Sequence, residues 1–158
     1  MIYSKTCEYA IRALSYLSSG KGERFCLIPE ISRATGVPHF YIAKIFQGLV
    51  RAGILKSRRG PSGGFAFERD PASVSLFEIV QAVDDISLLA DACVMGLDQC
   101  SAVNACPLHA VWEEARKNVL ASLRKTVITK VRKKMGRLEF RGLDRCRLKA
   151  TAELKGVS

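Results

Sequence analysis

The spacing of apolar residues changes near residue 54, and few folds are compatible with that change. Before it, apolar side chains recur every three or four positions over 4–18 and 38–52, as they do in amphipathic helices. A shorter helix is predicted from Pro29, which suits a first helical turn, to Gly36, which suits a helix end. Only a few turn-forming residues separate the second and third helices, so a helix-turn-helix is predicted.

From residue 54 onward, apolar and polar residues alternate over 54–58 and again over 65–68, which is typical of β-strands. The intervening residues 59–64, Arg-Gly-Pro-Ser-Gly-Gly, are turn formers, so a β-hairpin is predicted. A helix-turn-helix followed directly by a hairpin has the order of a winged helix. We therefore expect a mainly α fold with a small β-hairpin wing, and a winged helix-turn-helix domain over residues 1–70.

A fourth helix and an irregular cysteine-rich segment are predicted over residues 71–106. Ser75 and Glu78 have the spacing of a capping box, which marks a helix start. The apolar residues that follow continue this helix to about residue 84. The next segment, up to Cys106, has neither a helical nor a strand period, so it is predicted to be a loop.

A long helix is predicted over residues 107–134, where an apolar stripe runs from Leu108 to Val131. Such a stripe is longer than a small domain covers with its own core, so we expect a homodimer in which this helix pairs with its copy. The alternative is that the helix folds back on its own winged helix. Residues 135–158 are basic and weakly patterned, and a mobile tail is expected there.

The net charge of +10 is unevenly distributed along the sequence. Residues 71–107 contain five acidic residues and no Lys or Arg, whereas both flanking segments are basic. Concentrated positive charge suits a polyanion, because neutralised phosphates release counterions, although a basic surface can also serve solubility alone. Beside a helix-turn-helix, the charge favours double-stranded DNA. A dimer would read a pseudo-palindromic operator with half-sites about one helical turn apart.

The candidate DNA-binding residues lie on the second helix of the helix-turn-helix and on the wing. In helix-turn-helix proteins the second helix enters the major groove, and its first turns reach the base edges. A glycine-rich tip flanked by basic residues can approach a narrow minor groove closely. For Tyr41 and its neighbour Phe40, core packing is the competing explanation. The candidates are His39, Tyr41, Lys44 and Arg51 on the helix and Lys56, Arg58, Arg59 and Gly60 on the wing.

Three of the six cysteines are crowded into the acidic segment as Cys93-x6-Cys100-x5-Cys106, and His109 follows them. Disulfides are rare in the reducing cytosol, and clustered thiols indicate soft-metal chemistry. In zinc sites the cysteine ligands are usually separated by only a few residues in sequence. The longer separations here therefore favour an iron–sulfur cluster over zinc. His109 lies in the first turn of the long helix and is a candidate ligand. The acidic surroundings disfavour thiolates, and hence a disulfide-forming role.

These segments resemble the Rrf2 family of winged-helix regulators, including its IscR and NsrR types, over about residues 1–134. The resemblance rests on residues 9–14 of the first helix, 41–53 of the recognition helix, 59–65 of the wing, 79–84, and the cysteine loop leading to Trp112. It implies a homodimeric DNA-binding transcriptional regulator. It also implies that an iron–sulfur cluster controls operator affinity in response to cluster supply, nitric oxide or redox state.

The resemblance also implies ligands for that cluster. In IscR-type members three cysteines and a following histidine hold a two-iron cluster, which corresponds to Cys93, Cys100, Cys106 and His109. In NsrR-type members an acidic residue from the first helix of the other subunit completes a four-iron cluster, and Glu8 occupies that position here. Both candidate fourth ligands are present, so the sequence leaves the cluster type open.

Three other kinds of function compete with a cluster-controlled regulator. A structural zinc site or a cluster-free thiol redox switch would preserve DNA binding. An electron-transfer protein would have little use for a basic wing. No Ser/His/Asp set, Walker loop or dinucleotide fingerprint indicates an enzyme. The apolar runs are too short to cross a membrane and the N-terminus lacks the order of a signal peptide, so a cytoplasmic protein is expected.

Overall fold

The computed structural model describes residues 3–19, 24–60, 62–86, 92–98 and 100–135. From residue 136 onward, the predicted basic tail lies outside these residues. The predicted mainly α fold with a hairpin wing is confirmed, and no helix in the described ranges is long and apolar enough to span a bilayer. The elements are α1 (Lys5–Leu17), α2 (Ile28–Thr35), α3 (His39–Arg51), β1 (Leu55–Arg58), β2 (Gly64–Phe67), a 3-10 turn (Pro71–Ser73), α4 (Leu76–Val83), α5 (His109–Lys125) and α6 (Ile128–Met135).

The helix-turn-helix of α2 and α3 packs against α1 around one hydrophobic core. α1 starts after Ser4, whose hydroxyl accepts the backbone N–H of Cys7 at 3.3 Å and so caps the helix. α2 ends at Gly36 with φ +69°, a left-handed conformation that turns the chain sharply toward α3. The largest fully buried side chains in this part of the core are Phe46, Leu14, Ile31, Ile42 and Leu49.

The wing is anchored to the segment that precedes α2. β1 and β2 are antiparallel, and Cys26 pairs with Phe65 through two backbone hydrogen bonds of 2.9 Å. Gly64 has φ +126°, and a Cβ built there would lie 2.4 Å from the Cys26 carbonyl oxygen. Only glycine fits this position, because any side chain would push the wing away from Cys26.

α4 begins with the predicted capping box. The Glu78 backbone N–H donates to the Ser75 hydroxyl at 3.3 Å, and the Ser75 backbone N–H donates to the Glu78 carboxylate at 2.9 Å. α4 also packs closely on α3, since a Cβ on Gly48 would lie 3.3 Å from the carbonyl oxygen of Ala82. The backbones of α3 and α4 therefore approach each other closely at Gly48.

The single helix predicted over residues 107–134 is wrong, because the chain breaks between α5 and α6. Thr126 is extended, with φ −95° and ψ 115°, and its carbonyl oxygen accepts the backbone N–H of Leu76 at 2.8 Å. Ser75 and Val127 form an isolated antiparallel bridge at this point. β-branched residues favour extended backbone, and the bridge supplies hydrogen bonds in place of those of a helix.

The two halves of the predicted long helix have different surroundings. α6 folds back on the winged helix, where Ile128 is fully buried and the Arg132 guanidinium donates to the Ser18 carbonyl at 3.1 Å. The alternative prediction, in which the helix folds back on its own winged helix, is therefore confirmed for α6. On α5, by contrast, Leu123 is buried whereas Val111 is 70% exposed. α5 presents most of its surface outward.

Candidate DNA-binding surface and metal centre

The three clustered cysteines converge at the start of α5. Their sulfur atoms all lie within 4.8 Å of one another, and the Sγ atoms of Cys93 and Cys106 are 3.7 Å apart. Cys106 is buried, whereas Cys93 and Cys100 are half-buried. The sequence spacing therefore identified a thiol group that the fold brings together.

Two hydrogen bonds hold the cysteine loop against α5. The backbone N–H of His109 donates to the Cys106 carbonyl at 3.0 Å, and the Trp112 indole N–H donates to the Ala92 carbonyl at 3.0 Å. A small cavity of about 40 Å³ lies between the loop and the helix. It is lined by Ala92, Cys93, Cys100, Cys106, His109, Trp112, Glu113 and Arg116.

His109 lies between the thiols and a carboxylate. Its Nδ1 atom is 3.1 Å from the Cys100 sulfur, and its Nε2 atom is 3.9 Å from the carboxylate of Glu113. Glu113 is in turn held by Lys117 at 2.7 Å. A carboxylate behind a histidine ligand is a common way to orient the ring. Glu113 was not among the predicted site residues, but its i,i+4 spacing from His109 is a signal that could have identified it.

The local backbone favours the thiolate form of Cys93. Hydrogen bonding from the backbone of Leu97 is the largest influence, and with that from Met95 at 3.4 Å it lowers the pKa of Cys93 from 9.0 to about 7. Burial raises the pKa of Cys106 above its usual value. The expectation that acidic surroundings would disfavour thiolates is therefore wrong for Cys93, because hydrogen bonds from adjacent backbone N–H groups lower its pKa.

The donor set fits a thiophilic metal. Thiolates that share one tetrahedral zinc are about 3.8 Å apart when the metal–sulfur bond is about 2.3 Å. The 3.7 Å separation of the Cys93 and Cys106 sulfurs matches this spacing. Three thiols with an imidazole beside them are the soft and borderline ligands that zinc and iron–sulfur clusters take.

Glu8 stands apart from the thiol group in the described part of the chain. Its carboxylate is 2.6 Å from the Arg12 guanidinium and 2.7 Å from the Lys5 ammonium. The hydrogen bond from Lys5, together with the charge of Arg12, lowers the pKa of Glu8 and keeps it ionised. The resemblance places this ligand on the other subunit, so its role stays a prediction.

The predicted DNA-binding side chains of α3 all face outward. His39, Lys44 and Arg51 are exposed, and Tyr41 is 43% exposed. Phe40 is 74% exposed, so the alternative of core packing is wrong for both aromatic residues. The sequence could not decide this point, because the same residue types would fit an apolar helix face.

The four predicted wing residues differ in their surroundings. The Arg58 guanidinium lies 4.1 Å from the centre of the Phe25 ring and donates to the Ser62 carbonyl at 2.7 Å, so it braces the wing. Arg59 and Gly60 are exposed at the tip. Lys56 is half-buried and lines a cavity of about 300 Å³ between the wing and the end of α1.

An outward-facing recognition helix beside a basic hairpin defines a winged-helix DNA-binding protein. The family model described as an iron-dependent transcriptional regulator, Rrf2, matches residues 3–134. This chain belongs to the Rrf2 family. The family is one of transcriptional regulators.

Three known proteins illustrate the similarity. Protein aau3 of Rhizobium meliloti is 36% identical over 115 residues, which cover 73% of this chain and 74% of that protein. The HTH-type transcriptional regulator IscR of Xenorhabdus nematophila is 28% identical over 116 residues, covering 73% and 70%. The structure of CymR, the global cysteine regulator of B. subtilis, has the same fold, with a TM-score of 0.68, 21% identity and coverage of 82% and 95%.

Proposed function

We propose that this protein is a homodimeric transcriptional regulator whose operator affinity depends on an iron–sulfur cluster held by Cys93, Cys100 and Cys106. The observation that carries the proposal is that three thiols and the His109 imidazole come together at one place, in a member of a regulator family described as iron-dependent. The thiol group lies outside the proposed DNA-binding elements, so we assign it to the control of DNA binding and not to contact with DNA.

The connections of the cysteine loop explain how its state would reach DNA. The loop leads from α4 to α5, and Trp112 and Cys106 fasten it to the start of α5. α4 packs against α3 at Gly48, and its N-cap Ser75 pairs with Val127. A bound cluster would supply a centre that responds to redox state or nitric oxide. Rearrangement of the loop around it would change the angle between α4 and α5.

His109 is the fourth ligand that the geometry favours. Its Nδ1 atom already faces the Cys100 sulfur at 3.1 Å. Glu8 would first have to leave Lys5 and Arg12, which costs two charge-assisted hydrogen bonds. We therefore propose a two-iron cluster, with a four-iron cluster ligated by Glu8 as the form to be excluded.

DNA binding is proposed for the outward side chains of α3 and the wing tip. His39, Tyr41 and Lys44 lie in the first two turns of α3, where a recognition helix meets base edges. Arg51 and the wing residues are suited to phosphate contacts, which set orientation and give affinity its salt dependence.

Dimerisation is proposed through α5. Its N-cap residue Leu108 is 46% exposed, and Val111 in its first turn is 70% exposed. Two exposed apolar side chains three residues apart at the start of this helix suit contact with a second copy. Two winged helices held in this way would meet two half-sites of a pseudo-palindromic operator.

Metal analysis of anaerobically purified protein tests the cluster. We expect iron and acid-labile sulfide in the wild type and in the control variant Cys146→Ser, which changes a thiol outside the described residues. Cys100→Ser should lose both elements, because one of the three converging thiolates is missing. Wild-type protein that is colourless and free of iron and sulfide, even after reconstitution, would contradict the cluster while leaving DNA binding intact.

A structural zinc site is the second candidate, and one observation favours it. All three sulfurs lie within 4.8 Å of one another, a compact arrangement that a single tetrahedral ion requires. A multi-iron cluster spaces the thiolates on different irons more widely, so it would need the loop to open. One zinc per chain without sulfide would establish this candidate in the same analysis.

A further inference from the structure

We infer that Phe40 determines operator specificity by contacting the 5-methyl group of a thymine in the major groove. This inference rests on the proposed DNA binding and adds to it a specific base contact. Phe40 is the second residue of α3, in the turn that faces base edges in a helix-turn-helix. The side chain is 74% exposed, so its ring is accessible to a base in the major groove.

Neighbouring rings support Phe40 in this outward position. Its ring packs edge-on against Tyr41, with centroids 6.0 Å apart, and Tyr41 packs edge-on against Tyr9 at 5.3 Å. The Lys5 ammonium lies 5.5 Å from the centre of the Tyr9 ring. This row of rings links α1 to the first turn of α3. The exposed ring of Phe40 is therefore buttressed on one side and open on the other.

The chemistry of phenylalanine limits what it can recognise. Its ring offers no hydrogen-bond donor or acceptor, so it cannot distinguish bases by their polar edges. In the major groove the thymine methyl is the apolar feature that separates one base pair from the others. His39, Tyr41 and Lys44 carry the polar groups of the same turns and are suited to phosphates and polar base edges.

The test removes only the 5-methyl group of thymine from the operator DNA. An operator duplex is first selected from random DNA with the full-length protein, and each thymine of a half-site is then replaced by deoxyuridine. Dissociation constants are measured for the wild type, Phe40→Ala and Lys44→Ala, the last being a control on the same helix face. Thermal unfolding and sedimentation measurements test whether each variant keeps its fold and oligomeric state.

We expect one thymine whose replacement weakens wild-type binding by about fourfold per half-site, as burial of one methyl group predicts. The same replacement should leave Phe40→Ala unaffected, because that variant has already lost the contact. Lys44→Ala should bind more weakly to every duplex yet retain the fourfold difference. That pattern assigns the methyl contact to Phe40.

Four outcomes would overturn the inference. If deoxyuridine weakens no complex, or weakens the wild type and Phe40→Ala equally, while both proteins still bind the selected duplex, the proposed DNA binding stands and only the methyl contact fails. A changed oligomeric state of Phe40→Ala would instead make Phe40 a contact between copies. Absence of any selected duplex would refute the proposed function, and the inference with it.

Discussion

Arginines 58 and 59 are adjacent in sequence, yet their structural roles differ. Arg58 packs over Phe25 and donates to the Ser62 carbonyl, so part of its positive charge is used to hold the hairpin together. Arg59 is exposed at the tip. A count of basic residues in the sequence treats the two alike, whereas the structure separates a bracing side chain from one that faces solvent.

Arg59→Ala is expected to weaken operator binding and to reduce the slope of log K against log salt by about 0.9, the value for one lost phosphate contact. Its thermal midpoint should stay that of the wild type. Arg58→Ala should lower both affinity and the thermal midpoint. Fluorescence titrations at several salt concentrations measure the slope. An unchanged slope for Arg59→Ala would show that the tip does not touch a phosphate.

The buried thiol of Cys7 is expected to make the fold less stable at alkaline pH. Burial, with a smaller contribution from the charge of Asp84, raises its pKa from 9.0 to about 12. Above pH 9 the unfolded chain releases this proton while the folded chain retains it, so the free energy of unfolding falls as pH rises. The slope approaches about 1.4 kcal/mol per pH unit for one such group.

Urea unfolding between pH 8 and 10.5 measures this effect against the variant Cys7→Ala. The variant should be less stable at pH 8, because it leaves a small cavity, and should lose less stability than the wild type toward pH 10.5. Parallel pH profiles for the two proteins would rule out Cys7 as the source of the alkaline slope.

Among the elements, the hairpin depends on a contact with the segment before α2. Gly64→Ala is expected to destabilise the fold by roughly 1–3 kcal/mol, because it adds backbone strain and a clash with Cys26. Gly53→Ala is the matched control, since Gly53 has φ +68° but nothing within 4 Å of an added Cβ. It should cost about 1 kcal/mol, near the lower end of the penalty for a side chain in the left-handed region. Equal losses in urea unfolding would mean that the Cys26 contact is unimportant.

The helix α6 should behave as part of the winged-helix core. Ile128→Ala is expected to lower the free energy of unfolding by about 2–5 kcal/mol, the usual range for a buried isoleucine. Val103→Ala removes an apolar side chain that is 90% exposed and should change stability little. If the Ile128 variant unfolded like the wild type, α6 would not be docked on its own domain.

The elements that sequence predicted well are those fixed by local signals. The Ser75–Glu78 capping box, the stop at Gly36 and the turn residues of the wing each act within a few positions. The break before α6 could not be predicted in this way. The apolar stripe continues across Thr126, and the bridge that interrupts the helix involves Ser75, which is distant in sequence.

For the candidate site, too, the sequence predicted the features that depend on nearby residues and missed those that depend on the fold of the loop. The three thiols are clustered in sequence, and His109 follows within one turn of α5, so their convergence was foreseeable. The neighbours that tune them, Glu113 and the backbone around Cys93, depend on how the loop folds. The role that the family resemblance implies for Glu8 depends on a second subunit, so local patterns within one chain do not predict it.

At the scale of the whole molecule, the proposed function requires that the state of one loop changes how two winged helices hold a duplex. The loop is fastened to α5, and α4 is fastened to α3, so the two sites are linked through packed elements rather than by direct contact. Such coupling is typically worth about 1–3 kcal/mol, or about 5- to 150-fold in affinity.

The most direct measurement is a pair of anaerobic equilibrium titrations of one labelled operator duplex, with metal-loaded protein and with metal-stripped protein from the same preparation. The predicted result is two dissociation constants that differ by about 5- to 150-fold for the wild type. Cys100→Ser should give a single value under both treatments. Equal dissociation constants for the two wild-type forms would contradict control of DNA binding by the metal centre.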